Sequence, residues 1–439
     1  MTKTTIAKAV IIAAAMACVP ASLAQAPTYD LVLKGGHVID GRNNVSAVRD
    51  VAIRGGVVAA VAPDIQASPA TKIVNVAGLY VTPGLIDIHV HVHPGEKLRT
   101  YAGGDQSVMP DGFTLRSCVT TVADAGSAGW RTFDDFKRRV IDRSTTRVTS
   151  FLNINGSGMG PTESNMADME VQPTADMALK HKGVIIGIKS AHFSGGTAER
   201  PEWSPYEKAV EVGKIANIPV MVDFGSNASQ GRTIAELFTR VFRPGDMFTH
   251  MYGGVRGEQD PVTRGPSQAF IDGRRKGIIL DVGHGGGSFK WSAAIPMMKA
   301  GFKPDSISTD LHISSMNSGM KSQVEVMSKF LAMGETMEEV VLQSTWNPAK
   351  QIKLDTLGHL SVGAPADVAV LRLETGKFGF VDQTSTNQMI EGTQRLGCEL
   401  TLRNGVSVYD LNGRTATPFD PNAPLPARGG GGAPAKKKQ

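Results

Sequence analysis

The chain has 439 residues, which is enough for one large barrel and a small companion domain, and its composition is ordinary for a globular enzyme. The formal charge of +5 arises in the terminal segments, because the rest of the chain sums to −1 once six basic residues are left out: Lys3, Lys8, Arg428, Lys436, Lys437 and Lys438. The remaining chain is near neutral, and we therefore expect no nucleic-acid partner.

Residues 1–24 have the pattern of a secretory signal peptide. Lys3 and Lys8 precede an apolar run over residues 9–19, and small residues follow up to Ala24. The apolar run is too short to span a bilayer comfortably. The sequence thus predicts an exported protein, periplasmic or secreted, without stable membrane insertion.

Two cysteines remain after the predicted signal peptide is removed with Cys18. Cys118 and Cys398 fall in different predicted domains. An exported protein could join them in a disulfide, but nothing in their spacing demands a bridge. We expect two free, buried thiols.

Two segments of the chain look all-β, residues 25–82 and residues 357–412. Their short alternating runs are punctuated by turn signals that predict hairpins: Gly35-Gly36, Gly55-Gly56 and Asn404-Gly405. These segments flank one long α/β region. The economical interpretation is one small β-sandwich domain built from both chain ends.

Residues 83–356 alternate between strand-like runs and helical patterns. The eight strand-like runs end at His91, Asp124, Asn155, Lys189, Asp223, His250, His284 and Asp310. Eight strand–helix units predict a (β/α)₈ TIM barrel, in which the active site lies at the C-terminal ends of the strands. Polar residues stand at those ends.

Two helical patterns illustrate the segments between the strands. Ile234, Leu237, Phe238 and Val241 have the spacing of one helix face. Asn347-Pro348 predicts a helix start with Asn347 as the cap. Residues 413–439 are rich in Pro, Gly and Ala and end in three lysines, which predicts a disordered basic tail.

A histidine pair closes the first barrel strand. Side chains alternate faces along a strand, so His89 and His91 share the face opposite Ile86, Ile88 and Val90. Two imidazoles on one face at a strand end can bind one metal ion, and zinc is a suitable ion for neutral imidazole nitrogens. His93 offers a competing spacing with His91, but it lies past the strand.

The sequence resembles the amidohydrolase superfamily from about residue 31 to residue 410. Pro-Gly-Leu-Ile-Asp-Ile-His-Val-His at residues 83–91 is the strand-one signature of that superfamily. A closer likeness is to its branch of dihydroorotase-like deacetylases. Four stretches carry that likeness: residues 122–129, 187–189, 281–289 and 307–312.

The resemblance implies two divalent metal ions, with zinc as first choice and Mn²⁺ as the alternative, and a set of ligands. These ligands are His89, His91, Lys189, His250 and Asp310. In the family the lysine reacts with carbon dioxide, and the carbamate bridges the metals. Burial and neighbouring cations would favour the neutral amine that this reaction needs. Asp310 would also carry protons during catalysis.

One position departs from the family pattern. The family usually has histidine at the end of strand five, where this chain has Asp223. A carboxylate can still ligate zinc, so we keep Asp223 as a metal ligand. The added negative charge should lower the Lewis acidity of the second metal and favours harder ions such as Mn²⁺. Occupancy by one or by two metals stays open.

The polar residues near the strand ends supply candidates for substrate binding: His192, His284, Gly285, Gly286 and His312. Glycines 285–287 would let backbone N–H groups approach a substrate. His284 could hydrogen-bond the substrate or order this loop.

The sequence predicts a metal-dependent hydrolase that cleaves an amide bond with hydroxide generated by the metals. N-acyl amino acids or similar carboxylate-bearing amides are the preferred small-molecule substrates, by analogy only. One alternative is an esterase or deacetylase acting on acylated hydroxy acids. A second is a non-catalytic binding protein on a decayed amidohydrolase scaffold, which Asp223 alone supports. A homo-oligomer is compatible with the sequence.

Overall fold

The computed structural model describes Met1 and residues 27–161, 163–225 and 230–422. It is a mixed α/β structure with two sheets. The strands, in chain order, are β1 Leu31–Asp40, β2 Val45–Arg54, β3 Val57–Ala62, β4 Lys72–Asn75, β5 Tyr80–Pro83, β6 Leu85–Val90, β7 Pro94–Lys97, β8 Val119–Gly129, β9 Arg147–Asn153, β10 Ile185–Ala191, β11 Val220–Asp223, β12 Met247–Phe248, β13 Ile279–Leu280, β14 Val368–Val381, β15 Met389–Arg403 and β16 Val406–Asp410.

The helices lie mostly between the strands of the second sheet. They are α1 Phe133–Arg139, α2 Val171–Lys180, α3 Ser204–Ala216, α4 Ile234–Glu236, α5 Gln268–Lys276, α6 Trp291–Lys299, α7 Ile313–Met316, α8 Gln323–Ala332, α9 Met337–Gln343 and α10 Trp346–Gln351. The predicted helix face around Phe238 is buried, and a π-helical turn, Leu237–Val241, continues α4. Asn347 is not a cap, because α10 begins one residue earlier at Trp346.

Strands from both chain ends form the first sheet, as expected. Its order is β16-β15-β14-β5-β1-β2-β3, with β4 also paired to β1. This is one continuous eight-stranded sheet, so a separate sandwich domain is not confirmed. Gly55-Gly56 and Asn404-Gly405 form hairpin turns, but Gly35-Gly36 does not, because β1 continues through that pair with a bulge.

The second sheet is a parallel barrel wall. Its order is β13-β12-β11-β10-β9-β8-β6, and every neighbouring pair runs parallel. Apolar side chains fill the space between this wall and its helices, with Val122, Val220 and Phe248 among the fully buried ones. The strands point their C-terminal ends at the same mouth of the barrel.

The eighth barrel strand is not a regular strand. Residues 306–311 close the ring only through isolated bridges, Asp281 to Ser306 on one side and Val90 to Leu311 on the other. Side chains replace part of the ladder, because the backbone N–H of Thr309 donates to Asp87 Oδ1 at 3.1 Å. The segment therefore holds position without extended pairing.

The two sheets share part of their core, although most of the first sheet also has a cluster of its own. Leu371, Phe380 and Leu396 from β14 and β15 belong to the same buried cluster as the barrel residues. The backbone N–H of Leu396 also donates to Ser328 Oγ on α8 at 2.9 Å. The β14–β15 hairpin therefore packs along the barrel and carries its tip to the barrel mouth.

The expectation of two free thiols is wrong, because Cys118 and Cys398 form a disulfide. Their Cα atoms are 5.4 Å apart although 280 positions separate them in sequence. The turn before β8 packs against β15, where Thr401 Oγ1 donates to the carbonyl of Leu115 at 2.7 Å. Packing that sequence spacing could not reveal brings the two cysteines together.

The predicted signal peptide, apart from Met1, and tail residues 423–439 lie outside the described residues. In the part of the chain that the structure describes, no helix has both the length and the apolar character needed to cross a bilayer.

Candidate active site

The histidine pair lies at the barrel mouth, although the predicted alternation is interrupted between Asp87 and Val90: Ile86 and Ile88 pack inside the barrel and Val90 packs outside it. His89 is on β6, and His91 follows directly after it. Both side chains are buried, with 1% and 3% of their residues' surfaces exposed. The rings meet at 72° with centroids 5.6 Å apart.

Each histidine of the site has its Nδ1 occupied by a protein oxygen. His89 Nδ1 is 2.8 Å from Thr249 Oγ1, whose hydroxyl donates to Asp281 at 2.8 Å. His91 Nδ1 lies 3.0 Å from Ser127 Oγ, and His250 Nδ1 donates to the carbonyl of Gly283 at 2.5 Å. Such partners leave Nε2 free to bind a metal, an arrangement typical of metal-ligating histidines.

The donor atoms of His89, His91 and Asp310 converge within 4.8 Å of one another. Asp310 Oδ1 is 3.1 Å from His91 Nε2 and 3.6 Å from His89 Nε2. Donors at about 2.0–2.2 Å from a tetrahedral zinc ion are about 3.4 Å apart. These residues therefore fit a divalent metal ion, although ligation itself stays a prediction.

Lys189 lies fully buried next to this group. Its Nζ contacts His89 Nε2 at 3.3 Å and Met221 Sδ at 3.8 Å. Among the described residues no carboxylate lies within 4.0 Å of Nζ, so the ammonium has no ion pair. A side chain at Gly126 would place its Cβ 2.6 Å from Cβ and Cγ of Lys189. The glycine thus leaves room for the lysine in the barrel interior.

His250 and Asp223 form the second half of the site. His250 Nε2 lies 3.1 Å from Asp223 Oδ2, and the two rings of His89 and His250 have centroids 5.0 Å apart. The ring of His89 thus connects the group of His91 and Asp310 with the pair of His250 and Asp223. Asp223 ends β11, where it pairs with Ala191, two residues beyond Lys189 on β10.

Three residues of the site adopt left-handed backbone conformations. His192, His250 and Asp310 have φ angles of 49°, 64° and 52°. Non-glycine residues held in this region cost of order 1–3 kcal/mol each, and they cluster at functional sites. The backbone thus turns sharply where it presents these side chains.

The electrostatic environment favours the protonation states that metal binding needs. Burial, helped by Lys189, lowers the pKa of His89 to about 3. Burial also lowers the pKa of Lys189. Burial alone would raise the pKa of Asp310, but His312, His89 and His91 outweigh it and lower that pKa. A neutral imidazole and an ionised carboxylate are the forms that bind metals.

A cavity of about 260 Å³ opens onto the cluster. Besides the predicted ligands, its walls contain Tyr101, Met159, His192, Arg256, Gly286, Gly287, Ser288, His312, Ser314 and Thr384. Of the predicted substrate-binding residues, His192, Gly286 and His312 therefore line it. The His192 side chain is 53% exposed, the largest exposed fraction among the site's ion-paired residues.

His284 and Gly285 do not line this cavity. His284 is fully buried, stacks on Phe289 with centroids 4.5 Å apart, and places Nε2 2.6 Å from Lys329 Nζ. This geometry favours a role of His284 in ordering the glycine loop over a hydrogen bond to the substrate. Gly285 joins the loop to the eighth segment by donating to the carbonyl of Thr309 at 2.9 Å.

Several residues in or beside the cavity wall had no signal in the sequence. Glu163 is 5% exposed and its Oε2 lies 3.1 Å from His192 Nδ1. Tyr101 packs its ring 4.4 Å from that of His91. Thr384, from the tip of the β14–β15 hairpin, donates from both N and Oγ1 to the carbonyl of Gly286. Only tertiary packing brings these residues to the barrel mouth.

Three comparisons relate the chain to known proteins. A family model described as Amidohydrolase family matches residues 289–407. A protein named deacetylase from Agrobacterium fabrum is 31% identical over 366 residues, which cover 81% of this chain and 85% of that protein. The crystal structure of an adenine deaminase matches with a TM-score of 0.77 and 25% identity, covering 87% of this chain and 100% of that one. A dihydroorotase crystal structure matches with a TM-score of 0.74 and 28% identity, covering 87% and 97%.

Proposed function

The chain belongs to the amidohydrolase family, and on that premise we propose that it is a metal-dependent hydrolase of amide bonds. The substrates we propose are N-acyl amino acids or similar carboxylate-bearing amides. The observation that carries this proposal is the convergence of His89, His91 and Asp310, with Lys189, His250 and Asp223 beside them, at the open end of a barrel.

The chemistry follows from the residues around the cavity. Bound divalent ions lower the pKa of water and polarise a carbonyl group. In this proposal Asp310 takes a proton from the attacking water and returns it to the leaving nitrogen. Its Oδ2 lies 3.8 Å from His312 Nε2, and both residues line the cavity.

Two features support a small acyl group on the substrate. The cavity of about 260 Å³ is just below the range of about 300–1,000 Å³ that is usual for ligand sites. The name deacetylase of the Agrobacterium fabrum relative supports an acetyl group. Burial lowers the pKa of His192, but Asp223 and Glu163 more than offset this and hold it well above its usual value. These two carboxylates engage both ring nitrogens of His192, so the carboxylate group of the proposed substrate rests on analogy alone.

Esters of hydroxy acids are the second candidate substrates. The name deacetylase describes the acyl group removed and leaves the bond type open. Attack on an ester needs the same water and the same proton carrier, with an oxygen leaving group. The site geometry serves both bond types.

The proposed function is tested by a substrate screen. We expect metal-reconstituted protein to hydrolyse at least one N-acetyl amino acid, and to hydrolyse it faster than the matching O-acetyl hydroxy acid. A chelator should abolish turnover, and added Zn²⁺ or Mn²⁺ should restore it. Protein that binds no metal, or that turns over no amide or ester when fully loaded, would instead identify a decayed scaffold.

We also propose that the protein is exported. The pattern of residues 1–24 supports this, and so does the Cys118–Cys398 disulfide, since disulfides persist mainly in oxidising compartments. N-terminal sequencing of the protein from its native host should find a start at Gln25. An intact N-terminus in the cytoplasmic fraction would contradict export.

A further inference from the structure

Asp223 brings a negative charge into the interior of the site. The residue is 3% exposed, and its Oδ2 lies 2.9 Å from His192 Nε2 and 3.1 Å from His250 Nε2. A buried carboxylate needs compensation for the water it has lost. The partners of Oδ2 are these two imidazoles, and Oδ1 needs a partner of its own.

Arg256 supplies that compensation. It lies in the loop after β12, with its side chain 10% exposed, and its Nη2 is 3.2 Å from Asp223 Oδ1. Nε of the same guanidinium donates to the carbonyl of Phe224, the residue next to Asp223. The arginine therefore contacts both the carboxylate and the backbone that carries it.

The position of the guanidinium is fixed on its far side as well. Glu258 Oε1 lies 3.7 Å from Nη1, and Glu258 Oε2 accepts the backbone N–H of Arg256 at 2.6 Å. Glu258 is fully buried. A side chain at Gly253 would overlap Nη1, so the glycine leaves the space that the guanidinium occupies. These contacts prevent Arg256 from swinging away from Asp223.

The two oxygens of Asp223 consequently have separate partners. Oδ1 faces the guanidinium, whereas Oδ2 faces the imidazoles of the site. Groups that hydrogen-bond a ligating side chain set its orientation, and their loss typically weakens metal binding about 10–100-fold. A guanidinium next to a carboxylate also offsets its charge, and Arg256 here lies between the buried carboxylates of Asp223 and Glu258.

We propose that Arg256 is a positioning residue: it fixes the orientation of Asp223 and offsets part of its charge, so that Oδ2 serves with His250 Nε2 as a metal ligand. The inference rests on the proposed function, because it presupposes that the site binds metal. It explains how a buried carboxylate is accommodated at the strand end where the family usually has a neutral histidine.

Metal binding by purified variants tests the proposal. Arg256→Met removes the guanidinium and keeps much of its volume, while Arg256→Lys keeps the charge and loses the planar fork. We expect Arg256→Met to bind the more weakly held metal about 10–100-fold less tightly than wild type, measured by Zn²⁺ titration and metal analysis after dialysis. Arg256→Lys should lie between the two.

A matched control is the Arg147–Asp367 pair, whose Nη1–Oδ2 distance is 2.6 Å, outside the residues that line the site cavity. Arg147→Met should change thermal stability without changing metal affinity. The double variant Asp223→Asn/Arg256→Met provides a second measurement. Because both single changes disturb the same ligand, its metal affinity should fall by much less than the product of the two single effects.

The outcomes separate this proposal from the proposed function. Wild-type protein that binds no metal would overturn both. Wild-type affinity retained in Arg256→Met, or full additivity in the double variant, would overturn this proposal alone. An Arg256→Met variant with unchanged metal affinity and a raised KM would identify Arg256 as a substrate contact instead. If Arg256→Met does not fold, Arg256→Lys with unchanged affinity for both metals would overturn the proposal.

Discussion

At the scale of single residues, the site depends on side chains whose neighbours determine their chemistry. His89, His91 and His250 each keep Nε2 free because Nδ1 is engaged by Thr249, Ser127 or Gly283. Asp310 is the carboxylate within reach of both His89 and His91.

Replacing Asp310 with Asn should abolish turnover. The amide keeps an oxygen near His91 but cannot accept a proton, and general acid–base catalysis typically contributes about 10²–10⁴-fold to a rate. We expect kcat to fall by that factor while the thermal unfolding midpoint stays close to wild type. Asp305→Asn is the control, because Asp305 in the same segment accepts from the backbone of Leu280 and does not line the site cavity. Turnover retained in Asp310→Asn would reject the assigned proton carrier.

Lys189→Ala should lose metal, and metal uptake by wild-type apoprotein should require carbon dioxide. The amine alone offers no negative ligand, whereas its carbamate would offer two oxygens near His89. Metal analysis of the variant, and of wild type refilled with and without bicarbonate, checks both statements. Full occupancy in Lys189→Ala, or uptake indifferent to bicarbonate, would count against the carbamate bridge.

At the scale of elements, loops after the strands complete the site. Lys329 of α8 contacts the glycine loop at residues 284–288 from the side away from the cavity, and its side chain is fully buried. Its Nζ lies 2.6 Å from His284 Nε2 and from the carbonyls of Gly319 and Val381. His284 Nδ1 donates to the carbonyl of Gly285, so Nε2 is left as the acceptor for the ammonium. One cation thus joins three segments beneath the cavity.

Lys329→Met should therefore raise KM more than it lowers kcat. The loop loses its anchor while the predicted metal ligands keep their partners, so metal content should not change. Each buried acceptor left without a donor costs about 1–3 kcal/mol, and the unfolding midpoint should fall. Lys377→Met is the control, because Lys377 forms an exposed pair with Glu391 and should have little effect. An unchanged KM in folded Lys329→Met would show that the lysine serves stability alone.

The turn between α8 and α9 should make stability depend on pH. Burial raises the pKa of Glu335 from its usual value of 4.5 to about 7, although a hydrogen bond from Gln343 opposes this. The folded state therefore favours the protonated carboxyl, and its contribution is present below pH 4.5 and is lost as the pH rises through 7. Glu335→Gln should raise the free energy of unfolding at pH 8, by up to about 3 kcal/mol, and change it little at pH 4. A gain that is equal at both pH values would contradict this account.

At the scale of the whole molecule, covalent and packing contacts fix the terminal sheet to the barrel. The disulfide joins the turn before β8 to β15, and the β14–β15 hairpin tip contributes Thr384 to the cavity wall. The sheet built from both chain ends is therefore part of the active site as well as of the core. Loss of its attachment should affect stability and cavity shape together.

Cys398→Ser should lower the free energy of unfolding by about 2–5 kcal/mol, because the unfolded chain is no longer constrained by a cross-link across 280 positions. Thermal unfolding with and without reductant is the measurement. Reductant should lower the unfolding midpoint of wild type to that of the variant and leave the variant unchanged. A wild-type midpoint that is insensitive to complete reduction would contradict a stabilising role for the disulfide.

The sequence by itself determined the features that depend on neighbouring residues. Alternation along one strand placed His89 and His91 on a common face, and the repeated strand–helix pattern indicated the barrel and its active end. The hairpin signals were right at Gly55-Gly56 and Asn404-Gly405, where both residues of each pair form the tight turn. The signal was wrong at Gly35-Gly36, where the left-handed backbone of Gly35 is part of a β-bulge.

Only the tertiary structure decided the contacts between distant segments: the Cys118–Cys398 bridge, the irregular eighth strand, Arg256 beside Asp223 and Thr384 at the cavity. Local patterns follow from backbone geometry, which acts between residues close in sequence. Contacts across 30 to 280 positions depend instead on how sheets and loops pack, and no periodicity records them. Candidate ligands could therefore be proposed from the sequence, whereas the residues that contact and orient them could not.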